Sequence, residues 1–146
     1  MATESEHIKF ANESLASLKV LHDDPADHSA WVTTIAFYRS LHIVEAMFAN
    51  DPGVVGTHTH GERDQILKTT SKYRFIYENY SKLYRASQNA RYLQAGSFHE
   101  FMSEADVESY VLRKFCVNLE HSSRQFLSSP DDLETIAICL SKAQSA

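Results

Sequence analysis

Histidines and an arginine that could act on a phosphate group lie together in the turn after the second predicted helix. The turn covers residues 57–64 and reads THTHGERD. A helix N-terminus offers free backbone N–H groups and the positive end of the helix dipole, so a phosphate could dock there. His58 and His60 could then act as general acid or base, and Arg63 could hold the phosphate. The alternative is an ordinary polar surface turn.

The spacing of His58 and His60, with Glu62 nearby, also allows a zinc site. Structural and catalytic zinc sites need three or four ligands from His, Cys or carboxylate side chains. The sequence offers no second group of such residues with ligand spacing. We therefore expect neither a bound metal nor a cofactor.

One face of the second predicted helix begins apolar and becomes polar. It carries five residues spaced four, three, four and three apart: Trp31, Ile35, Tyr38, His42 and Glu45. Ionisable groups at the end of a buried face are costly unless each has a partner. Either His42 hydrogen-bonds Glu45 or Tyr38 and steadies the core, or these three side chains support a site at the floor of a cleft.

A stripe of tyrosines lies along one face of the fourth predicted helix: Tyr73, Tyr77, Tyr80 and Tyr84. Aromatic residues at helical spacing are usually core, but each tyrosine hydroxyl also needs a hydrogen-bond partner. The stripe therefore indicates a core face, a half-wet groove or an interface. The same face continues toward Arg91, and aromatic rings interleaved with arginine are typical of surfaces on which single-stranded nucleic acid stacks.

An all-α fold must position these residues. The chain has 146 residues but only 4 Gly and 3 Pro, which is too few turn residues for a β-sandwich or barrel. Hydrophobic periodicity predicts one domain, residues 1–146, built as a bundle of about five helices plus a short C-terminal helix. The predicted helices cover about 5–21, 25–50, 59–69, 72–92, 103–127 and 129–142.

Capping residues set several of these boundaries. Thr59 with Glu62, and Ser103 with Asp106, are capping boxes. The second helix is apolar on nearly all sides and should be central. It begins at Asp24-Pro25, although Asp27 is an equally good cap.

Two features farther along the chain have plain structural interpretations. Arg113, Glu120 and His121 are explained by scattered charge on a solvated helix face. Cys116 and Cys139 lie in apolar helical contexts and are expected to be buried, reduced thiols.

The charge balance limits the partners. The formal net charge is -5, whereas proteins that bind duplex nucleic acid through its phosphates usually have a basic surface. Local basic character is confined to about residues 68–91. The acidic N-terminus does not resemble a signal peptide, and no segment is long and apolar enough for a membrane span, so a cytoplasmic protein without membrane contact is expected.

Three segments together resemble HEPN-like domains: WVTTIAFYRSLHIVEA at 31–46, HGERD at 60–64 and YSKLYRASQNARY at 80–92. The resemblance covers about residues 5–127. It implies a small helical bundle that commonly forms homodimers. Many members of the family are metal-independent ribonucleases of toxin–antitoxin or defence systems, whereas others bind nucleotides or act as non-catalytic partners of another protein.

The chain departs from the ribonuclease motif of that family, in which Arg and a polar residue are followed by His after four to six residues. Seven residues separate Arg91 from His99 and Arg113 from His121. Arg63-Asp64 has no His downstream. Either the site is rebuilt from the histidine turn, or the chain is a non-cleaving member.

Two functions follow as hypotheses. In the first, the chain binds or cleaves RNA or a nucleotide. Its catalytic residues are His58, His60 and Arg63, and its phosphate-binding or nucleic-acid-binding residues are Arg91, Tyr84 and Tyr92. In the second, it is a non-catalytic module for dimerisation or for binding a protein partner. Both depend on whether the polar end of the second helix, the histidine turn and Arg91 share one cavity.

Overall fold

The computed structural model describes residues 2–57, 59–92 and 102–140, and all regular secondary structure in these ranges is helical. Four helices precede the first long gap: α1 (Glu4–Asp23), α2 (Ser29–Ala49), α3 (His60–Thr69) and α4 (Arg74–Arg91). The three consecutive helical segments that follow are together named α5 (Glu104–Asp106, Val107–Cys116 and Val117–Ser123), and α6 is the short helix Ala137–Leu140. The predicted all-α bundle is confirmed.

Helix α1 packs along α2 with an apolar stripe at helical spacing. Its four buried positions are Ile8, Ala11, Leu15 and Leu18. The helix begins at a capping box in which the Thr3 side chain accepts from the Glu6 amide and the Glu6 carboxylate accepts from the Thr3 amide.

Helix α2 lies at the centre of the bundle, in contact with α1, α4 and α5. It begins at Ser29, four residues later than predicted, because Asp24 and Asp27 form local turns instead of capping a helix at Pro25. The Asp24 carboxylate accepts from the Ala26 amide at 2.9 Å, and that of Asp27 from the Ser29 amide at 2.9 Å.

Although α2 is mostly apolar, not every large apolar residue on it is buried. Trp31 begins the apolar part of the predicted face, but it is 65 % exposed. It lies in the first turn of the late-starting helix, where less of the bundle surrounds it.

Both predicted capping boxes after α2 are present, at Thr59–Glu62 and at Ser103–Asp106. The predicted break after α3 is confirmed as well: Thr70 is extended, and a single 3₁₀ turn (Ser71–Tyr73) leads into α4. Tyr73 and Tyr80 are core residues, whereas Tyr77 and Tyr84 are partly buried.

The middle of α5 is unexpected, because Val107–Cys116 is π-helical. The predicted solvated face of α5 is wrong at Glu120, which is only 5 % exposed. Its carboxylate pairs with fully buried Arg39 at 2.9 Å and with Arg124 at 2.8 Å. A carboxylate without these partners would be costly to bury. Cys116 and Cys139 are buried free thiols, as predicted.

The predicted last helix at 129–142 is not continuous. A 3₁₀ turn (Pro130–Asp132) is followed by extended chain and then by α6, and residues beyond 140 lie outside the described ranges. Backbone groups of this segment turn toward the buried charges: the carbonyls of Pro130 and Leu133 accept from Arg124, and that of Glu134 accepts from Arg39. These hydrogen bonds hold the segment between the 3₁₀ turn and α6 against Arg124 and Arg39.

No helix in the described ranges is both long and apolar enough to cross a membrane.

Candidate functional site

The polar end of α2 meets the start of α3 through an ion pair. Arg63 Nη1 donates to Glu45 Oε1 at 3.1 Å, and the two side chains are 11 % and 13 % exposed. Glu45 also accepts from the Thr57 hydroxyl. The capping box at Thr59 starts α3 at His60 and so directs Arg63, one turn in, toward Glu45. This ion pair holds two of the sequence-predicted site residues together.

Tyr80 of α4 connects this ion pair to His60. Its hydroxyl lies 3.2 Å from Arg63 Nε and 3.2 Å from His60 Nδ1. The residue is fully buried, so its hydroxyl hydrogen needs an acceptor inside the protein. Arg63 can only donate. Among the hydrogen bonds of the described residues, the hydrogen therefore goes to His60 Nδ1, which places the ring proton of neutral His60 on Nε2.

His60 itself is held between two tyrosines. Its ring stacks on Tyr84 with centroids 3.4 Å apart and planes 10° apart, and it is also stacked with Tyr80 at 5.7 Å. Burial lowers the pKa of His60 below the usual 6.5, Asp64 opposes this, and the cations Arg63 and Arg91 lower it further. The imidazole is therefore neutral at pH 7.

Arg91, at the end of α4, lies on the same flank. Its Nη1 donates to the Tyr38 hydroxyl at 3.3 Å, and its guanidinium lies 5.8 Å from the Tyr38 ring centroid and 5.4 Å from that of Tyr92. Tyr38 and Tyr92 are 41 % and 62 % exposed. A cation bordered by exposed aromatic rings thus lies close enough to His60 to affect its charge.

His42 does not share this arrangement. Its Nδ1 lies 3.2 Å from His7 Nδ1 of α1, and its ring stacks on Phe10. Both predicted partners are wrong, because Glu45 binds Arg63 and Tyr38 binds Arg91 while α1 supplies a closer partner for His42. The five-residue face of α2 therefore divides, with Tyr38 and Glu45 turned toward α3 and α4 and His42 toward α1.

Three of the predicted site elements thus meet, and the prediction for His58 is not tested. The structure brings together Glu45, His60 and Arg63, with Tyr84 against His60 and with Arg91, Tyr38 and Tyr92 beside them. His58 lies outside the described residues. Sequence reasoning missed Tyr80 as the link and His7 as the partner of His42. The signal for Tyr80 was present, since a buried tyrosine in a stripe requires a hydroxyl partner.

The His7–His42 pair predicts acid sensitivity. Burial lowers the pKa of both residues; Glu45 opposes this for both, Glu6 also opposes it at His7, and at His42 the cations His7 and Arg63 add to it. Because the folded state binds protons less readily than the unfolded state, stability is full above the unfolded pKa of 6.5 and falls as the pH decreases through it. The carboxylates with lowered pKa, such as Asp51 at about 2, lose their contribution at lower pH.

We expect the urea midpoint of unfolding to fall between pH 7 and pH 5, and the slope to flatten in the double variant His7→Gln/His42→Gln. The control is His121→Gln, which removes an exposed imidazole of α5. An unchanged slope in the double variant would contradict this prediction.

A cleft of about 610 Å³ lies at the other end of α2, near its first turn. Its lining contains none of the sequence-predicted site residues, and it includes four carboxylates: Asp24, Asp27, Glu104 and Glu108. An anionic lining repels phosphate. The His60 cluster therefore remains the better candidate for a phosphate site.

The part of the chain that the structure describes holds no group of three or more His, Cys, Asp or Glu side chains arranged to bind a metal ion. Comparison of the chain with protein-family models, with curated proteins and with solved structures finds no match.

Proposed function

We propose that the chain is a HEPN-like domain that binds RNA or a nucleotide, with a phosphate held by His60 and Arg91. The observation that carries this proposal is the orientation of His60: Tyr80 occupies Nδ1 and Tyr84 stacks on the ring, so the ring proton of the neutral imidazole lies on Nε2. Arg91 is near enough to contribute to the lowered pKa of His60. An N–H and a guanidinium are the donors that phosphate oxygens accept best. The ring faces of Tyr38 and Tyr92 lie where a base could stack.

The two arginines have different roles in this proposal. Arg63 is paired with Glu45 and donates to the Tyr80 hydroxyl, so it positions His60 through Tyr80. Within the part of the chain that the structure describes, the hydrogen-bond partners of Arg91 are uncharged groups of Ser87 and Tyr38. Arg91 therefore supplies the positive charge for a ligand phosphate.

The same hydrogen bonds favour binding over cleavage. Metal-independent RNA cleavage needs a base to take the proton of a ribose 2′-hydroxyl, and a general base must present a free lone pair. With Tyr80 donating to Nδ1 and the proton on Nε2, neutral His60 presents a donor instead. A ribonuclease at this site would have to reverse that tautomer.

The test is the affinity of purified protein for a fluorescently labelled single-stranded RNA and for a labelled mononucleotide, measured by anisotropy. We expect His60→Ala and Arg91→Ala each to weaken binding at least about tenfold, since a charge-assisted hydrogen bond contributes about 1.5–3 kcal/mol. Arg85→Ala is the matched control, because it removes an exposed arginine of the same helix. Wild-type affinity in both variants, or no binding by the wild type, would refute the proposal.

The same samples, incubated without metal, test the enzymatic version. RNA that stays intact supports a binding module. Cleavage that disappears in His60→Ala would instead make His60 catalytic and would show that its tautomer is reversed in the complex.

Exposed aromatic residues favour a second candidate, a homodimerisation module. Trp31 is 65 % exposed and lies two turns before Tyr38 on the same face of α2. Trp and Tyr are enriched at the centres of protein interfaces. A dimeric mass that becomes monomeric in Trp31→Glu, together with no RNA binding, would select this function.

A further inference from the structure

A second polar groove lies between α4 and α5. Three residues of α4 and three of α5 define it here as the α4–α5 groove: Phe75, Asn79, Lys82, Lys114, Asn118 and His121. Its volume is about 350 Å³, which is within the range of small-molecule sites. The candidate site described above uses none of these residues.

Helix geometry separates the two sites. At about 100° per residue, Lys82 points about 200° away from Tyr80 on α4. Phe75, Asn79 and Lys82 recur at spacings of four and three and so share one face, while Tyr80 and Tyr84 face the opposite way, toward α3. A ligand in the α4–α5 groove would therefore not contact His60.

The groove is locally positive in a chain whose net charge is -5. Lys82 and Lys114 are exposed, and within the described residues neither forms an ion pair with a carboxylate. Lys82 Nζ lies 5.4 Å from the ring centroid of Phe115, which holds the ammonium group near the groove. The one lining carboxylate, Glu78, lies 3.9 Å from Arg74, so its charge is partly offset.

Neutral donors and an aromatic ring complete the lining. The Asn79 amide donates to the Phe75 carbonyl at 3.0 Å, which fixes its orientation and leaves its second N–H available. Asn118 and His121 are exposed on the facing side. Phe75 is 70 % exposed, although burying such a ring would be favourable. Its open face suits a flat ring of a ligand.

We propose that the α4–α5 groove binds a nucleoside phosphate, with the phosphates on Lys82 and Lys114 and the base against Phe75. The two ammonium groups supply the charge that a phosphate chain needs, and the amides and imidazole supply further donors. The base adds stacking on an exposed ring. This site is separate from the His60 cluster and does not depend on its proposed role.

The experiment is isothermal titration of the full chain with adenosine triphosphate, tripolyphosphate and adenosine. We expect the triphosphate to bind best, tripolyphosphate to bind more weakly and adenosine to bind least. Lys82→Gln/Lys114→Gln should weaken binding of the triphosphate and of tripolyphosphate at least about tenfold, given the size of charge-assisted contacts. Phe75→Ala should weaken binding of the triphosphate only.

Two controls keep the outcomes apart. Lys68→Gln removes an exposed lysine outside the groove and should change nothing. Arg91→Ala removes a cation of the His60 cluster and therefore reports any triphosphate that binds there instead of in the groove. If Arg91→Ala abolishes triphosphate binding while the lysine variant binds normally, the nucleotide occupies the His60 cluster and the groove proposal is overturned. Absence of any binding overturns it as well. All substituted groove side chains are exposed, and circular dichroism verifies that each variant is folded.

Discussion

Replacing Glu120 with glutamine is expected to lower the free energy of unfolding by about 3–5 kcal/mol, because it leaves a fully buried arginine without its counter-charge. Arg39 has no exposed surface and pairs with Glu120 at 2.9 Å. Its Nη2 also donates to the Glu134 carbonyl, but Nε and Nη1 have no hydrogen-bond partner within the described structure. Glutamine keeps the shape and an acceptor oxygen while removing the charge, so the electrostatic contribution dominates the change.

Urea denaturation at pH 7 measures this effect. Glu13→Gln is the matched control, since it removes the same charge from an exposed position of α1, where surface substitutions usually change stability by about 0.5 kcal/mol or less. The double variant Arg39→Met/Glu120→Leu should be more stable than Glu120→Gln, because removing both charges abolishes the desolvation cost. A Glu120→Gln protein as stable as the control would show that Arg39 does not depend on this carboxylate.

Local signals in the sequence were sufficient for much of the fold. Each capping box involves residues three positions apart, so the starts of α3 and α5 could be predicted from Thr59 and Ser103. The stripe of α1 repeats at helical spacing and could be read in the same way. These features depend on neighbours in the chain, and neighbours are visible in a sequence.

Features that depend on distant partners could not be predicted. Glutamate is usually exposed at the protein surface. Only the proximity of Glu120 to Arg39, 81 positions away, explains its burial. The C-terminal segment also has a distant partner that spacing could not reveal, since the Glu134 carbonyl accepts from Arg39, 95 positions away. Trp31 shows the opposite case. Its apolar side chain suggested burial, but no distant part of the described structure covers it.

The candidate site contains contacts between neighbours in the chain, which could be predicted, and contacts between distant residues, which could not. His60 and Arg63 are three residues apart at a helix start, so their proximity follows from the sequence. The partner of His42 does not, because spacing along α2 favoured Tyr38 or Glu45 and could not reveal that α1 brings His7 within 3.2 Å.

Tyr80→Phe is expected to lower the free energy of unfolding by about 1–3 kcal/mol, because it leaves the buried Nε donor of Arg63 unsatisfied. The ring packing against Phe37, with centroids 5.6 Å apart, is retained. The matched control is Tyr84→Phe. The Tyr84 hydroxyl accepts from Gln88 at the partly buried edge of the cluster, so its loss should cost less.

The same substitution tests whether Tyr80 positions His60 or only supports the core. Without the Tyr80 hydroxyl, Nδ1 loses the hydrogen bond that favours neutral His60, so the pKa of His60 should rise toward 6.5. In the neutral imidazole the ring proton would no longer be confined to Nε2, so the RNA affinity of the protein with neutral His60 should fall by about threefold to tenfold if that donor binds phosphate. The pKa of His60 is measurable by NMR titration of its ring proton, with Tyr84→Phe titrated alongside. A destabilised variant in which both the pKa and the RNA affinity stay unchanged would assign Tyr80 to the core alone, because a purely structural hydroxyl has no means of setting the protonation of His60.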